Sequence, residues 1–248
     1  MDDSLQGKAA LVTGAARRIG AAIARELHAA GASVAIHYRD AEAEAVKLEA
    51  ELNAARAGSA LRVKAELLAP VAPRALVGAA LERFGRLDLL VNNASSFFPT
   101  RIGAIEASHW EELIGSNLRA PLFLAQEAAP HLQSSGGSIV NVVDIHAERP
   151  LKGYVVYSIA KAGLAALTRS LALELGPAVR VNAVAPGAIA WPEDGQFENG
   201  ERSRIVATTP LARVGSPEEV AQAVHFLACA RFVTGQILAV DGGRSVFL

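Results

Sequence analysis

The sequence holds 1 cysteine in 248 residues, so neither an internal disulfide nor a cysteine-based metal site can form. Its 6 histidines are scattered without metal-ligand spacing and read as structural or surface residues. Neither sign of charge is in excess. The 24 Lys and Arg stand against 25 Asp and Glu, which argues against the basic surplus of a nucleic-acid binder. No uncharged apolar run reaches ~18 residues, so no membrane span is expected. The opening Met1-Asp2-Asp3-Ser4-Leu5-Gln6-Gly7-Lys8 has no cationic region leading into an apolar run, and no signal peptide is expected. Repeats, low-complexity segments and linkers are lacking too. These absences point to a single-domain protein, residues 1–248, of a reducing, cytoplasmic compartment.

What is present is an alternation of short apolar runs with longer helical stretches. Strands are predicted at Ala9–Val12, Ser33–His37, Leu61–Ala65, Leu87–Val91, Ile139–Val143, Val179–Val184 and Ile237–Val240. Helices are predicted at Ile19–Ala30, Ala41–Arg56, Arg74–Phe84, Trp110–His131, Tyr154–Leu175 and Pro217–Cys229. Strands that are apolar throughout are buried on both faces, as in a parallel sheet covered by helices. The expected fold is therefore α/β, a Rossmann-type doubly wound parallel sheet. The one long irregular stretch runs from Ala185 to about Arg204 and contains Pro186, Gly187, Pro192, Gly195 and Gly200. Its part from about 187 to 205 is read as a substrate loop, because it follows a strand end, where such sheets bind ligands.

Between the first strand and first helix lies Thr13-Gly14-Ala15-Ala16-Arg17-Arg18-Ile19-Gly20. A helix N-terminus offers free N–H groups and a positive dipole end, so this is a suitable place for a pyrophosphate. Gly14 permits a tight turn and Gly20 close helix–strand packing. The alternative is an ordinary glycine turn with exposed arginines. The second strand ends His37-Tyr38-Arg39, where a carboxylate would favour NAD by binding the ribose hydroxyl. Arg39 instead suits the 2′-phosphate of NADP(H). Asp40 is the counter-argument, but it falls where a helix cap is expected.

Tyr157 and Lys161 stand four apart on one helix face. A free tyrosine, with a pKa of about 10, is a poor proton donor near neutrality. An ammonium ~4 Å away contributes at most ~4 kcal/mol at an effective dielectric of 20, enough to bring that pKa toward neutrality. Tyr154 has no such partner, since four residues on stands Ser158. On spacing alone, such a pair also occurs on ordinary helices.

With that pair the chain resembles the short-chain dehydrogenase/reductase family over essentially its whole length. The resemblance rests on Thr13-Gly14-x-x-x-Arg18-Ile19-Gly20, Asn92-Asn93-Ala94, Tyr157-x-x-x-Lys161, Val181-Asn182-x-Val184-x-Pro186-Gly187 and Asp241-Gly242-Gly243. It implies a bound dinucleotide, Tyr157 as proton donor, and Lys161 holding the ribose and tuning Tyr157. It also implies cofactor contacts from Gly14, Arg17, Arg18, Ile19, His37, Tyr38, Arg39, Glu66, Leu67, Asn93, Ala94, Ser95, Pro186, Gly187 and Ile189. Glu66 stands where the family usually has an aspartate that meets the adenine. Asn117 matches an asparagine that supports a water chain to the lysine; a simple helix-bend asparagine is the alternative.

Three positions depart from the general family pattern. Arg18 replaces the middle glycine of the loop, Asp144 replaces the catalytic serine, and Asn93-Ala94 runs on into Ser95-Ser96-Phe97-Phe98-Pro99. All three departures are similar to the pteridine reductases of that family. That likeness implies reduction of a pterin or folate with a Tyr157/Lys161/Asp144 proton relay. It places Arg18 and Ser95 on the ligand and stacks Phe97 over its flat ring. An ionised Asp144 has no proton to donate and would repel a developing oxyanion, so a plain ketone suits the site poorly. Asp144 could alternatively cap a turn or pair with Arg149, Phe97 and Phe98 could be core, and Arg18 could face solvent. Trp191 either lines the substrate cavity or packs the loop. A ketone or alcohol oxidoreductase and a non-catalytic NADP-binding regulator are the competing functions. The resemblance also implies a homotetramer built on the two long helices, where Ala160, Ala162, Gly163 and Ala165 would permit close packing. Cys229 is expected to be a buried small hydrophobe.

Overall fold

The computed structural model of the chain describes residues 4–191 and 198–247. Among these, seven strands form one sheet: β1 (Ala9–Val12), β2 (Ser33–Tyr38), β3 (Ala60–Lys64), β4 (Leu89–Asn92), β5 (Ser138–Val142), β6 (Arg180–Pro186) and β7 (Ile237–Val240). Every pairing is parallel, in the order β3-β2-β1-β4-β5-β6-β7. The order reverses direction between β1 and β4. The crevice outside their carboxyl ends is the ligand position of an open doubly wound sheet.

The described helices are α1 (Arg18–Ala29), α2 (Glu42–Ala55), α3 (Ala72–Phe84), α4 (Ala107–Ile114), α5 (Ala120–Ser135), α6 (Val155–Leu175), α7 (Asn199–Ala207), α8 (Pro217–Cys229) and α9 (Arg244–Phe247). One sheet face packs Val12, Val34 and Val91 against Ile23 and Leu27 of α1, Leu48 of α2 and Val224 of α8. The other packs Leu11, Leu90 and Val181 against Leu76 of α3, Leu124 of α5 and Ala172 of α6. Full burial of one such aliphatic side chain contributes ~1.5–3 kcal/mol, so the two cores hold the central strands rigidly beneath the crevice. Cys229 is buried at the end of α8. Among the described residues, no helix is long and apolar enough to cross a membrane, and no cluster of His, Cys, Asp and Glu could hold a metal ion.

The structure corrects the sequence reading in five places. The stretch Trp110–His131 is not one helix: α4 and α5 are joined by a π-helical turn, Gly115–Arg119, which contains Asn117. The irregular stretch is shorter than expected, because β6 runs on to Pro186 and α7 begins at Asn199. Pro192 and Gly195, which marked that stretch, lie outside the described residues. Asp40 caps no helix; α2 starts after Ala41, and the Asp40 carboxylate accepts from Arg39 Nε at 2.7 Å. β7 is apolar but half-exposed, since it is the edge strand and one side has no neighbour. Finally, Ala160 and Ala165 are buried within their own chain, leaving Ala162 exposed and Gly163 packed near Leu118.

Candidate active site

The turn after β1 and the turn after β4 are stitched together by polar side chains. Thr13 Oγ1 accepts from the N–H groups of Asn93 (2.9 Å) and Ala94 (3.0 Å). Asn93 Nδ2 donates back to the carbonyls of Thr13 (2.8 Å) and Gly14 (3.0 Å). The approach leaves no room for side chains. A Cβ on Gly14, whose φ is +60°, would lie 2.9 Å from Ala94 Cα, and one on Gly20 would lie 2.1 Å from Gly14 O. His37 fastens the same turn to β2: its Nδ1 accepts from Gly14 N at 3.0 Å. Nε2 therefore carries the proton and donates to Ala65 O at 3.1 Å. Burial pushes the His37 pKa down and keeps the ring neutral. His37 lines the cleft, but both its nitrogens serve the fold, so the expected cofactor contact is not available to them.

Arg18 adopts a φ of +49°, the left-handed region that favours glycine. That conformation suits the glycine the family commonly has at this position. Its guanidinium crosses the cleft and donates to Ala190 O at 2.7 Å and Ile189 O at 3.3 Å. These bonds offset a backbone cost of order 1 kcal/mol. Arg17 pairs with Glu44 at 2.7 Å.

Asp144 extends from the end of β5, and one oxygen of its carboxylate caps the turn Ile145–Ala147 by accepting from His146 N at 2.8 Å. The other accepts from the Tyr157 hydroxyl at 2.7 Å. Arg149 is not its partner. Burial and the neighbouring Asp144 charge push the Tyr157 pKa well above that of a free tyrosine. This overturns the expectation that Lys161 lowers it. The Lys161 ammonium lies 5.7 Å from the Tyr157 ring centre and donates to Val142 O at 3.0 Å. Lys161 is itself fully buried, and burial lowers its pKa to about 8.

Beside this pair, Ser95 Oγ donates to Asn117 Oδ1 at 2.6 Å. Asn117 Nδ2 donates to Leu113 O (2.9 Å), a carbonyl next to the π turn, and to Ser96 O (3.0 Å). Asn117 thus both sits in the helix irregularity and carries Ser95. The ring of Phe97 stacks on Tyr154, centres 4.6 Å apart, and meets Tyr157 edge-on at 4.8 Å. Phe98 turns away and packs edge-on against His109.

All these parts open onto one cleft of about 560 Å³. It is lined by every residue the sequence reading selected for cofactor or substrate, from Gly14 to Trp191, with Asn117 alone lying beneath the lining.

The chain matches the Enoyl-(Acyl carrier protein) reductase family model over residues 14–245. It is 40% identical to the granaticin polyketide synthase ketoacyl reductase 2 of Streptomyces violaceoruber, with 97% of each chain covered. The chain belongs to the short-chain dehydrogenase/reductase family. It is also 40% identical to pteridine reductase 1 of Leishmania tarentolae, with 99% of each chain covered. A 3-oxoacyl-[acyl-carrier-protein] reductase of Synechocystis is 37% identical, covering 98% of this chain and 99% of that one.

As a short-chain dehydrogenase/reductase the protein is an oxidoreductase that uses a nicotinamide dinucleotide, and the cleft fits such a group. Helix α1 opens with no side-chain cap and no acidic residue in its first turn, so its leading N–H groups remain for an anion. Lys161 has three donors and, among the described residues, one acceptor, Val142 O. Its remaining donors suit ribose hydroxyls. Glu66 Oε1 accepts from Leu68 N at 3.2 Å, which fixes the turn after β3 where it lines the cleft.

Sequence reasoning gave no role to several residues that shape this cleft. Thr13 was legible only as part of a motif. Glu112 reaches from α4 to accept from Arg39 Nη1 at 3.3 Å and from the Ser96 hydroxyl. Glu201, Arg204 and Arg244 line the far end, and only the fold brings α7 and α9 there.

Proposed function

We propose that the protein is an NADPH-dependent pteridine reductase acting on dihydro or oxidised pterins, with dihydrofolate as a further substrate. The observation that carries this reading is the Asp144 carboxylate 2.7 Å from the Tyr157 hydroxyl, where a ketone reductase needs a second hydrogen-bond donor. When bound, the reduced nicotinamide supplies a hydride to a ring carbon of a C=N bond. Tyr157 gives a proton to the ring nitrogen, so that one C=N becomes a CH–NH. Asp144 accepts N–H groups of the pterin, and a proton taken up by its carboxylate from solvent is passed on to restore the Tyr157 hydroxyl. Lys161 holds the ribose and adds positive charge beneath Tyr157. Phe97 offers its ring face to the flat heterocycle, with Ser95 and Arg18 on its edge.

A specific observation also favours a second reading. The ketoacyl reductase of Streptomyces violaceoruber is as similar in sequence as the pteridine reductase. The deciding measurement is oxidation of NADPH with dihydrobiopterin, dihydrofolate and a panel of 3-oxo esters at matched concentrations. Pterin turnover well above ketone turnover is expected. Turnover of ketones alone would sink the pterin assignment and leave the family unaffected.

NADPH is favoured over NADH because Arg39 lines the cleft at the end of β2 and is half-exposed there. Its engagement with Asp40 and Glu112 tempers the effect. Arg39→Ala is expected to raise the KM for NADPH about tenfold, in line with ~1.5–3 kcal/mol for a charged hydrogen bond less that competition, and to leave the KM for NADH nearly unchanged. Equal losses for both would remove the argument. We also propose a homotetramer, with Leu122 and Phe123 of α5 and Ile159 of α6 as its exposed apolar contacts. Light scattering should give the mass of four chains; a monomer mass refutes it.

A further inference from the structure

The cleft holds arginines that a neutral ring at Tyr157 does not use. Arg18, Arg204 of α7 and Arg244 of α9 line the cleft, against two carboxylates that line it near the substrate, Asp144 and Glu201 of α7. Some arginines elsewhere in this chain find carboxylates, as Arg25 does with Glu51 and Arg213 with Glu219, and others, such as Arg56, Arg119 and Arg180, donate to backbone carbonyls. Among the described residues, Arg18, Arg204 and Arg244 form no ion pair.

Of these, Arg244 is held in place. Arg244 Nη1 donates to Thr208 Oγ1 at 2.6 Å and to Ile205 O at 3.1 Å, which fixes its fork against the end of α7. Burial, and then the like charge of Arg204, lowers the Arg244 pKa from the usual arginine value, although the Asp241 carboxylate opposes the shift. Two guanidiniums that line one cleft make an anion favourable beside them. A planar fork with unused donors matches a carboxylate or phosphate. Trp191 lines the same end, with the Arg202 guanidinium 5.4 Å from its ring, and offers an apolar flank on the way there.

We propose that Arg204 and Arg244 form a subsite for an acidic tail, a carboxylate or phosphate that the substrate carries beyond its reducible group. This rests on the reading above only in placing that group at Tyr157 and Asp144; it does not depend on the group being a pterin.

The test is the Kd, by titration calorimetry on the dinucleotide-loaded protein, of matched acidic and neutral ligands. Dihydrofolate (carboxylates) and a phosphorylated dihydropterin are set against dihydrobiopterin. A 3-oxoacyl-coenzyme A (phosphates) is set against its truncated neutral thioester. At least one acidic ligand is expected to bind tenfold or more tightly than its neutral partner, and added salt should erode that advantage. Arg204→Glu, at an exposed position, should reduce it to less than threefold. Arg244→Gln, which keeps a donor for Thr208, should weaken it in the same direction. Preference for carboxylate or for phosphate identifies the tail. Binding of no acidic ligand, an advantage below threefold in the parent, or one that survives Arg204→Glu overturns the proposal. Binding confined to the thioester pair upholds the acidic-tail subsite while the pterin reading fails.

Discussion

Asp144→Ser is expected to lower turnover of a dihydropterin about a hundredfold and to raise turnover of a simple 3-oxo ester by a similar factor from its low starting value. The Asp144 carboxylate accepts the Tyr157 proton at 2.7 Å and has none of its own to give. A serine there would donate. One donor aimed at a developing oxyanion is worth ~10²–10³ in rate, and a positioned proton relay contributes ~10²–10⁴. The substitution suits the backbone, because Asp144 caps the turn Ile145–Ala147 through His146 N at 2.8 Å. Serine is an equally good cap. A second readout follows from charge. The Asp144 carboxylate helps hold the Tyr157 pKa high, so its removal should move the alkaline limb of the rate profile to lower pH. Unchanged pterin turnover would show that Asp144 serves only the turn.

Lys161→Met is expected to stabilise the ligand-free protein while abolishing most of its turnover. Burial lowers the Lys161 pKa from 10.5 to about 8, which corresponds to roughly 3 kcal/mol against the buried ammonium. Between about pH 8 and 10.5 the unfolded chain binds more protons at this site than the folded one. Its contribution to stability therefore rises with pH through that window and is least below it. Methionine has similar length and carries no charge. Its cost is the donor lost to Val142 O, ~1 kcal/mol. The net gain of roughly 2 kcal/mol corresponds to ~4–8 °C in Tm for a chain of this size. Calorimetry at pH 7 checks the rise, and the same comparison at pH 10 should show a smaller one. A lower Tm at pH 7 would mean that the ammonium is well satisfied where it lies. Such a residue, which the ligand-free fold holds at a cost, belongs to function rather than stability.

The local parts of the site were legible because they are short-range. Tyr157 and Lys161 are one helical turn apart, and Gly14 to Gly20 form one strand–helix junction. Even so, spacing misjudged their electrostatics. It considered a lysine one turn away, while the aspartate 13 positions earlier entered only through the family resemblance, as a relay and not as a charge that raises the tyrosine's pKa. The same limit hid the break at Asn117. Propensity reads Trp110–His131 as one continuous helix, and the π turn follows from the hold that Ser95 and Ser96 of the β4 loop have on Asn117.

Apolar runs and their order determined a parallel, doubly wound sheet, because continuous hydrophobic strands are stable only when covered on both faces. The sequence also determined where the glycine turn after β1 lies and which helix face carries the tyrosine and lysine, since both follow from local spacing. Tertiary structure alone decided the partners. Thr13 and Asn93 meet across 80 positions, Arg39 is restrained by Glu112 across 73, and Arg18 reaches Ala190 across 172. Such pairings depend on which strand ends the sheet places side by side, and on burial that decides which charge a buried group can keep. Neither quantity is a property of a local stretch of chain.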